Sequence, residues 1–310
     1  MSQYTPKLLP FAPARSAEDG PPSRSSEIRS GDRSGDDVYV FTDEIVLALD
    51  VALSTGRPLL VRGASGSGKT SLARSVATRA GWLLFEAVVT ARTQARDLLW
   101  SVDTLRRLQD AQTGRLASDF SQYIAPGPFW WAFDPLGASL QQARATPGAG
   151  APVSSGARTV LLIDEIDKAD PDVPNSLLRP IGDLAFRVEE TDQTVSAGFP
   201  APLVVLTTNE ERDLPPAFLR RCVELNMPPV TRERLVTIGK AHEPDAAGEL
   251  LTAVADLVLG GIERRERREP NPAEYLDVLR ACRELDISVA SETFARVARA
   301  VVGGDGLGAN

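Results

Sequence analysis

At 310 residues, with 43% hydrophobic and 25% charged content, the chain has room for one large or two moderate domains and the composition of an ordinary soluble globular protein. Its formal net charge of −8 argues against binding held mainly by nucleic-acid phosphates. Cys222 and Cys282 are too few for a disulfide framework, His242 is the only histidine and leaves no His/Cys zinc site, and no apolar run reaches membrane-spanning length.

In chain order, residues 1–36 are rich in Ser, Gly, Pro and mixed charge, and such a stretch is expected to be a disordered tail without a secretory layout, which points to the cytoplasm. "DEIVLALDVALS" has apolar residues at helical spacing after Thr42-Asp43 and ends before Gly56. "PLLVRG" reads as a short buried strand, "KTSLARSVATRAG" as a helix stopped by Gly81, and "WLLFEAVV" as a second strand. Residues 94–111 predict one amphipathic helix with its Leu, Trp and Val positions buried. An aromatic stretch, "PGPFWWAFDP", and the loose "TPGAGAPVSSGA" follow. "RTVLLIDEID" is another buried strand, "PDVPNSLLRPIGD" a short helix, "PLVVLTTN" a further strong strand and "RCVELN" the last. Strands alternating with helices imply a mainly parallel sheet covered by helices. Residues 231–302 then read as four helices without strands, one of them running into a solvated charged end, "IERRERRE". The expected organisation is a tail (1–36), a nucleotide-binding α/β domain (37–229), a helical lid (230–303) and a flexible end (304–310).

Chemistry concentrates in "VRGASGSGKTS", where Gly63, Gly68, Lys69 and Thr70 have the spacing G-x-x-x-x-G-K-[ST] between a strand and a helix. The segment Gly63, Ala64, Ser65, Gly66, Ser67, Gly68 and on to Ser71 lets successive backbone N–H groups point at phosphate oxygens beside a helix N-terminus. Lys69 then reaches the β- and γ-phosphates and the Thr70 hydroxyl ligates Mg²⁺. Only four lysines occur (Lys7, Lys69, Lys168, Lys240), so arginine is the default cation and a lysine in a demanding place is not background. "TVLLIDEIDKAD" delivers Asp164 and Glu165 at a strand's C-terminal edge, where ligands of open α/β sheets bind. Asp164 would hold Mg²⁺ and Glu165 would orient or deprotonate water, while Asp167 and Asp170 read as solvated or capping.

The phosphate loop, "LLIDE", a strand "LVVLTTN" ending in asparagine, "FLRR" and then helices together resemble the AAA+ ATPases. "NEERDLPPAFLRRC" narrows the resemblance to the MoxR-like branch, over roughly residues 38–300. The resemblance implies a three-layer αβα P-loop core with a five-stranded, mainly parallel sheet and an all-helical lid. It implies ATP as substrate, lodged near Tyr39 and Val40, with Asn209 as a sensor of the γ-phosphate or lytic water. It further implies that Arg221, or second Arg220, faces the nucleotide of a neighbouring subunit, so that the working unit is a ring, by resemblance a hexamer. A protein client or a partner with a von Willebrand factor A domain, and a place in bacterial conflict systems, are likewise implications of the resemblance. The chain departs from the family's pattern where a lid arginine is common: "REPNPAEYLDVLRA" has none in its first turn, which leaves Arg268 and Arg280 as candidates. Residues 112–156 and 186–199 fall where such proteins insert elements around a pore, and Trp130, Trp131 and Phe133 are either pore contacts or core.

Other classes stay open at this point. A nucleic-acid motor or loader shares the core, but the acidic balance and the lack of a recognisable DNA-binding module speak against it. An ATP-gated scaffold with little turnover is opposed by the intact Asp164-Glu165 pair. A G protein would need an N-K-x-D guanine reader, which the chain lacks.

Overall fold

The computed structural model describes residues 5–10, 38–146, 156, 158–264 and 271–302. The expected tail over 11–37, the end beyond 302, most of "TPGAGAPVSSGA", the charged run from 265 and Arg268 lie outside the described residues.

The first part of the chain runs α1 (Asp43–Thr55), β1 (Leu59–Arg62), α2 (Lys69–Ala80), β2 (Leu83–Val88), α3 (Ala95–Leu99), β3 (Trp100–Val102) and α4 (Thr104–Gln112). It continues through β4 (Ile124–Pro126), α5 (Pro128–Phe133), α6 (Pro135–Ala145), β5 (Thr159–Asp164), α7 (Asp172–Asp183), β6 (Ala185–Val188) and β7 (Gln193–Ser196). Next come β8 (Leu203–Thr208), α8 (Pro216–Leu219) and β9 (Val223–Asn226), and then helices alone: α9 (Arg232–His242), α10 (Gly248–Arg264), α11 (Pro272–Glu284) and α12 (Glu292–Val302). Contacts divide the chain into two compact units that are not contiguous in sequence. One takes Met1–Pro10, Leu47–Arg62 and Val76–Leu225, the other Phe11–Val46, Gly63–Ser75 and Asn226–Asn310.

In the first unit five strands form a sheet in the order β2-β5-β8-β1-β9, with parallel pairing of β2 to β5, β5 to β8 and β8 to β1. All of β8 and all but the last residue of β5 are buried, which explains their unbroken apolar runs, since central parallel strands are covered on both faces. Register sets Ile163 beside Leu206 and Arg62 beside Thr208, so β5, β8 and β1 end on one edge of the sheet. That is where open α/β sheets carry their ligands.

The predicted helix over 94–111 is instead interrupted. Trp100–Val102 forms a strand paired antiparallel with Ile124–Pro126, and Asp103 then accepts the N–H of Arg106 to start α4 afresh. Trp-Ser-Val favours extended backbone, and a pairing partner decided what helical periodicity alone did not. α4 consequently buries none of its residues, and Leu105 and Leu108 are exposed. Residues 186–199 include the second hairpin strand, with β6 antiparallel to β7.

Trp130 is completely buried and Trp131 half-buried, stacked on Phe85 with centroids 5.8 Å apart. Phe186 of the hairpin stacks on Trp100 at 5.9 Å and meets Trp130 edge-on at 6.2 Å. The aromatic stretch is therefore core, and its rings fasten the hairpin to β3. Both cysteines are free and buried, and burial pushes the Cys222 thiol up to about 12. Within the segment expected as a tail, Leu9 is buried and the Lys7 and Leu8 amides both donate to Asp50 of α1, at 2.6 and 3.1 Å.

The helical part of the second unit has its own core, including Leu235, Leu251, Val254, Val258, Tyr275, Val278 and Leu279. Thr231 caps α9, and Asn271 with Pro272 behind it caps α11. A Cβ on Gly239 would stand 2.4 Å from Tyr275 Oη, so only glycine lets α9 lie this close to α11. No helix among the described residues is long and apolar enough to cross a membrane.

Candidate functional site: a phosphate loop and a paired carboxylate

Two groups of residues carry the chemistry, one in each unit. The loop that follows β1 turns on glycines in the left-handed region, Gly66 at φ 79° and Gly68 at φ 93°. A Cβ on Gly66 would come 2.7 Å from the Asn271 side chain, so the cap of α11 rests directly on the loop. Asn271 is itself buried and accepts the Glu274 N–H at 2.8 Å. The Lys69 ammonium is buried and donates to the carbonyls of Gly63 and Ala64 at 2.7 and 2.8 Å. Thr70 stands next to it in the first turn of α2.

Beside this loop lies a cavity of about 310 Å³ lined by Tyr39, Val40, Gly66, Ser67, Gly68 and Ser71, with Arg234, Ile238, His242 and Arg280 on its helical wall. Tyr39 Oη, Ser67 Oγ and Arg234 Nε and Nη1 are buried without a hydrogen-bond partner among the described residues. Burial raises the Tyr39 phenol and lowers Arg234. Burial, with the Arg280 charge adding to it, lowers His242 to about 4, so its ring is neutral at pH 7. Unmet donors around a cavity of this size are a demand for a ligand rich in acceptors. A nucleotide fits that demand, because its phosphates, ribose and base all present oxygen or nitrogen acceptors.

At the ends of β5 and β8 the first unit gathers the acidic pair. Thr207 donates its hydroxyl to Asp164 and accepts the Glu165 N–H at 2.9 Å, which holds Glu165 at φ 59°. Both oxygens of Glu165 are engaged: Asn209 Nδ2 donates to Oε1 at 3.1 Å and Lys168 Nζ to Oε2 at 2.7 Å. The Glu165 bond is the main cause that raises the Lys168 amine. Asp167 corrects an expectation. It is 2% exposed rather than solvated and accepts the Glu211 N–H at 2.9 Å, tying the turn after β5 to the loop after Asn209. Asp170 does cap, accepting the Asp172 N–H at 3.0 Å.

A family profile described as AAA domain (dynein-related subfamily) matches residues 58–222, more than half of the chain. The chain belongs to this AAA family. Domains of this family bind and hydrolyse nucleotide in general and commonly assemble as rings. Similar solved structures include a Thermotoga maritima RuvB P216G mutant, 16% identical over 84% of this chain and 69% of that one with a TM-score of 0.48. The Thermotoga maritima RuvB Holliday junction branch migration motor is 17% identical over 84% and 67%, with a TM-score of 0.45. No curated protein matches the chain by sequence.

Of the expected site residues, the structure brings Tyr39, Val40, Ser67, Gly68 and Ser71 onto one cavity and Asp164, Glu165 and Asn209 onto one sheet edge. Gly63, Ala64 and Lys69 meet through the ammonium, and Ser65 continues the same loop. Arg220 and Arg221 are exposed at the end of α8, and Arg221 donates to the Ala217 carbonyl at 3.3 Å. Thr207, Lys168 and Asn271 went unassigned in the sequence. For Lys168 its rarity was a signal, for Asn271 its place before a proline-led helix, and for Thr207 there was none.

Proposed function

We propose that this AAA protein is a Mg²⁺-dependent ATP hydrolase of the MoxR-like class, working as a ring that remodels or activates a partner protein. The engagement of Glu165 by Asn209 and Lys168 at the sheet edge, with Asp164 as its neighbour, is the observation that carries this reading. In it, residues 37–229 act as the nucleotide-binding part and 230–303 as the lid. The loop amides from Gly63 to Gly68 and Lys69 bind the β- and γ-phosphates, and the base lies between Tyr39-Val40 and the lid helices. Thr70 and Asp164 would hold Mg²⁺, which when bound neutralises phosphate charge. Glu165 takes a proton from a water held by Asn209. The water oxygen bonds to the γ-phosphorus as the bond to the bridging oxygen breaks, giving ADP and phosphate.

Arg221, or Arg220, supplies a guanidinium to the adjoining subunit's nucleotide, so a hexameric ring is the active form. The client is a protein, on the MoxR-like pattern together with a von Willebrand factor A domain partner, and nucleic acid is not the substrate. A cytoplasmic site of action follows from the substrate, since ATP and Mg²⁺ are plentiful there. The test is ATPase activity against protein concentration. Specific activity should rise as subunits assemble and collapse in Glu165→Gln and in the Arg220→Ala, Arg221→Ala double variant. Unchanged activity in the double arginine variant would end the shared-site reading.

A further inference from the structure

The guanidinium of Arg57 is spent on backbone. Its Nε donates to the Arg221 carbonyl at 3.1 Å, and its Nη2 to the carbonyls of Arg220 at 2.7 Å and Cys222 at 2.6 Å. These three consecutive carbonyls belong to the turn just past α8, at the carboxyl end of a helix, where a cation is favoured. The next residue extends the stitch, because the Val223 N–H donates to the Pro58 carbonyl at 2.8 Å. Arg57 is thus fastened to the backbone of the two arginines whose side chains are left exposed.

Local sequence explains why Arg57 is suited to this. It follows Gly56, which ends α1 at φ 66°, and precedes Pro58, which biases its backbone to extended conformations. Two residues later it leads into β1, and one residue past the end of β1 the chain becomes the phosphate loop. The far end of β1 is fastened as well. Arg62 pairs with Glu210, the residue after Asn209, at 2.8 Å and with Glu224 of β9 at 2.9 Å. One four-residue strand therefore carries ties to the arginine turn at its root and to the loop of Asn209 at its tip.

We propose that Arg57 is a positioning residue for the arginine pair, setting the backbone from which Arg220 and Arg221 reach the adjoining subunit's nucleotide. The proposal rests on the shared-site reading above. Arg57 touches no nucleotide of its own subunit in this scheme, so its loss lowers turnover in the neighbour and leaves ATP binding in its own subunit intact. A planar fork serves three carbonyls at once, and a lysine's point charge does not. Misplacing a catalytic cation by about 1 Å costs on the order of 100-fold in rate, well inside the span over which such arginines act.

The experiment compares Arg57→Ala and Arg57→Lys with the Arg220→Ala, Arg221→Ala double variant, each alone and mixed with Glu165→Gln subunits. Alone, Arg57→Ala should lose roughly 10- to 100-fold in kcat with KM for ATP held within about twofold, and Arg57→Lys should fall between it and the parent. Mixed with Glu165→Gln, whose own sites are dead but whose arginine turn is intact, Arg57→Ala should regain activity several-fold above either alone. Parent-like kcat in Arg57→Ala would overturn the proposal. So would failure of rescue for both Arg57 variants while the double arginine variant is rescued, since Arg57 would then act inside its own subunit. Failure of rescue for all three would instead strike the shared-site reading itself. Should melting show Arg57→Ala to be unfolded, Arg57→Lys carries the same comparison.

Discussion

Asn209 donates through Nδ2 to Glu165 Oε1 across 3.1 Å, joining the residue just past β8 to the residue just past β5. The two strands are parallel neighbours in the sheet, so this bond is fixed by register and not by a loop's chance placement. Glu165→Gln keeps the size of the side chain and removes its basicity. Turnover should fall at least 100-fold while ATP affinity stays within about threefold, as read by single-turnover hydrolysis and equilibrium binding. Asn209→Ala should lower kcat by about tenfold or more, because Glu165 then loses the donor at Oε1 and, in the proposed mechanism, the water its partner. Equal loss of binding and turnover in either variant would count against the assigned roles.

Lys168 occupies the other oxygen of Glu165 at 2.7 Å from the first turn after β5. The pair sits at the surface, with Lys168 37% exposed, so its worth lies in orientation and not in stability. Lys168→Met should leave the melting temperature within about 2 °C and lower kcat by about tenfold at unchanged KM. Lys168→Arg should restore part of the rate, since a cation within reach again fixes the carboxylate. A variant as active as the parent would reduce Lys168 to a surface ion pair.

Gly239 inverts the usual preference of helices. In an exposed helix interior, glycine to alanine stabilises by about 1 kcal/mol. Here a Cβ meets Tyr275 Oη at 2.4 Å, Tyr275 Cε1 at 2.8 Å and Leu251 Cδ2 at 2.9 Å, all in the core of the helical unit. Tyr275 cannot swing aside without losing its bond to the Leu251 carbonyl, at 3.1 Å. Gly239→Ala should therefore destabilise by about 1–3 kcal/mol, seen as a lower urea midpoint. A stabilised variant would show that α9 and α11 can part enough to admit a methyl group.

The parallel sheet was legible because its strands are apolar from end to end and alternate with helices, as "LVVLTT" and "TVLLID" show. The phosphate loop and the acidic pair were legible because their chemistry demands fixed residue types at fixed spacing. Residues 94–111 were misread because a strand of three residues leaves no period to detect, and its pairing partner lies more than twenty residues on. Lys168, Thr207 and Asn271 escaped for a related reason: each acts across space on a residue distant in sequence or on a turn whose shape the sequence leaves open. Asp167 was misassigned because a carboxylate three residues past a strand looks solvated until the loop after Asn209 is seen to cover it.

His242 ties acidity to the stability of the helical unit. Burial lowers its imidazole from 6.5 to about 4, so between these values the unfolded chain holds a proton that the folded chain refuses. The unfolded state binding more protons means that stability rises with pH across this window and is lost as pH falls through it. From pH 7 to pH 5 the loss assignable to this one group is about 2 kcal/mol. Carboxylates titrate in the lower part of the same range, so the difference between parent and His242→Gln isolates the histidine. The variant should lose less stability between pH 7 and pH 5 than the parent does, measured by urea midpoints at both. Identical pH dependence in the two proteins would mean that the ring is hydrated and titrates near its ordinary value.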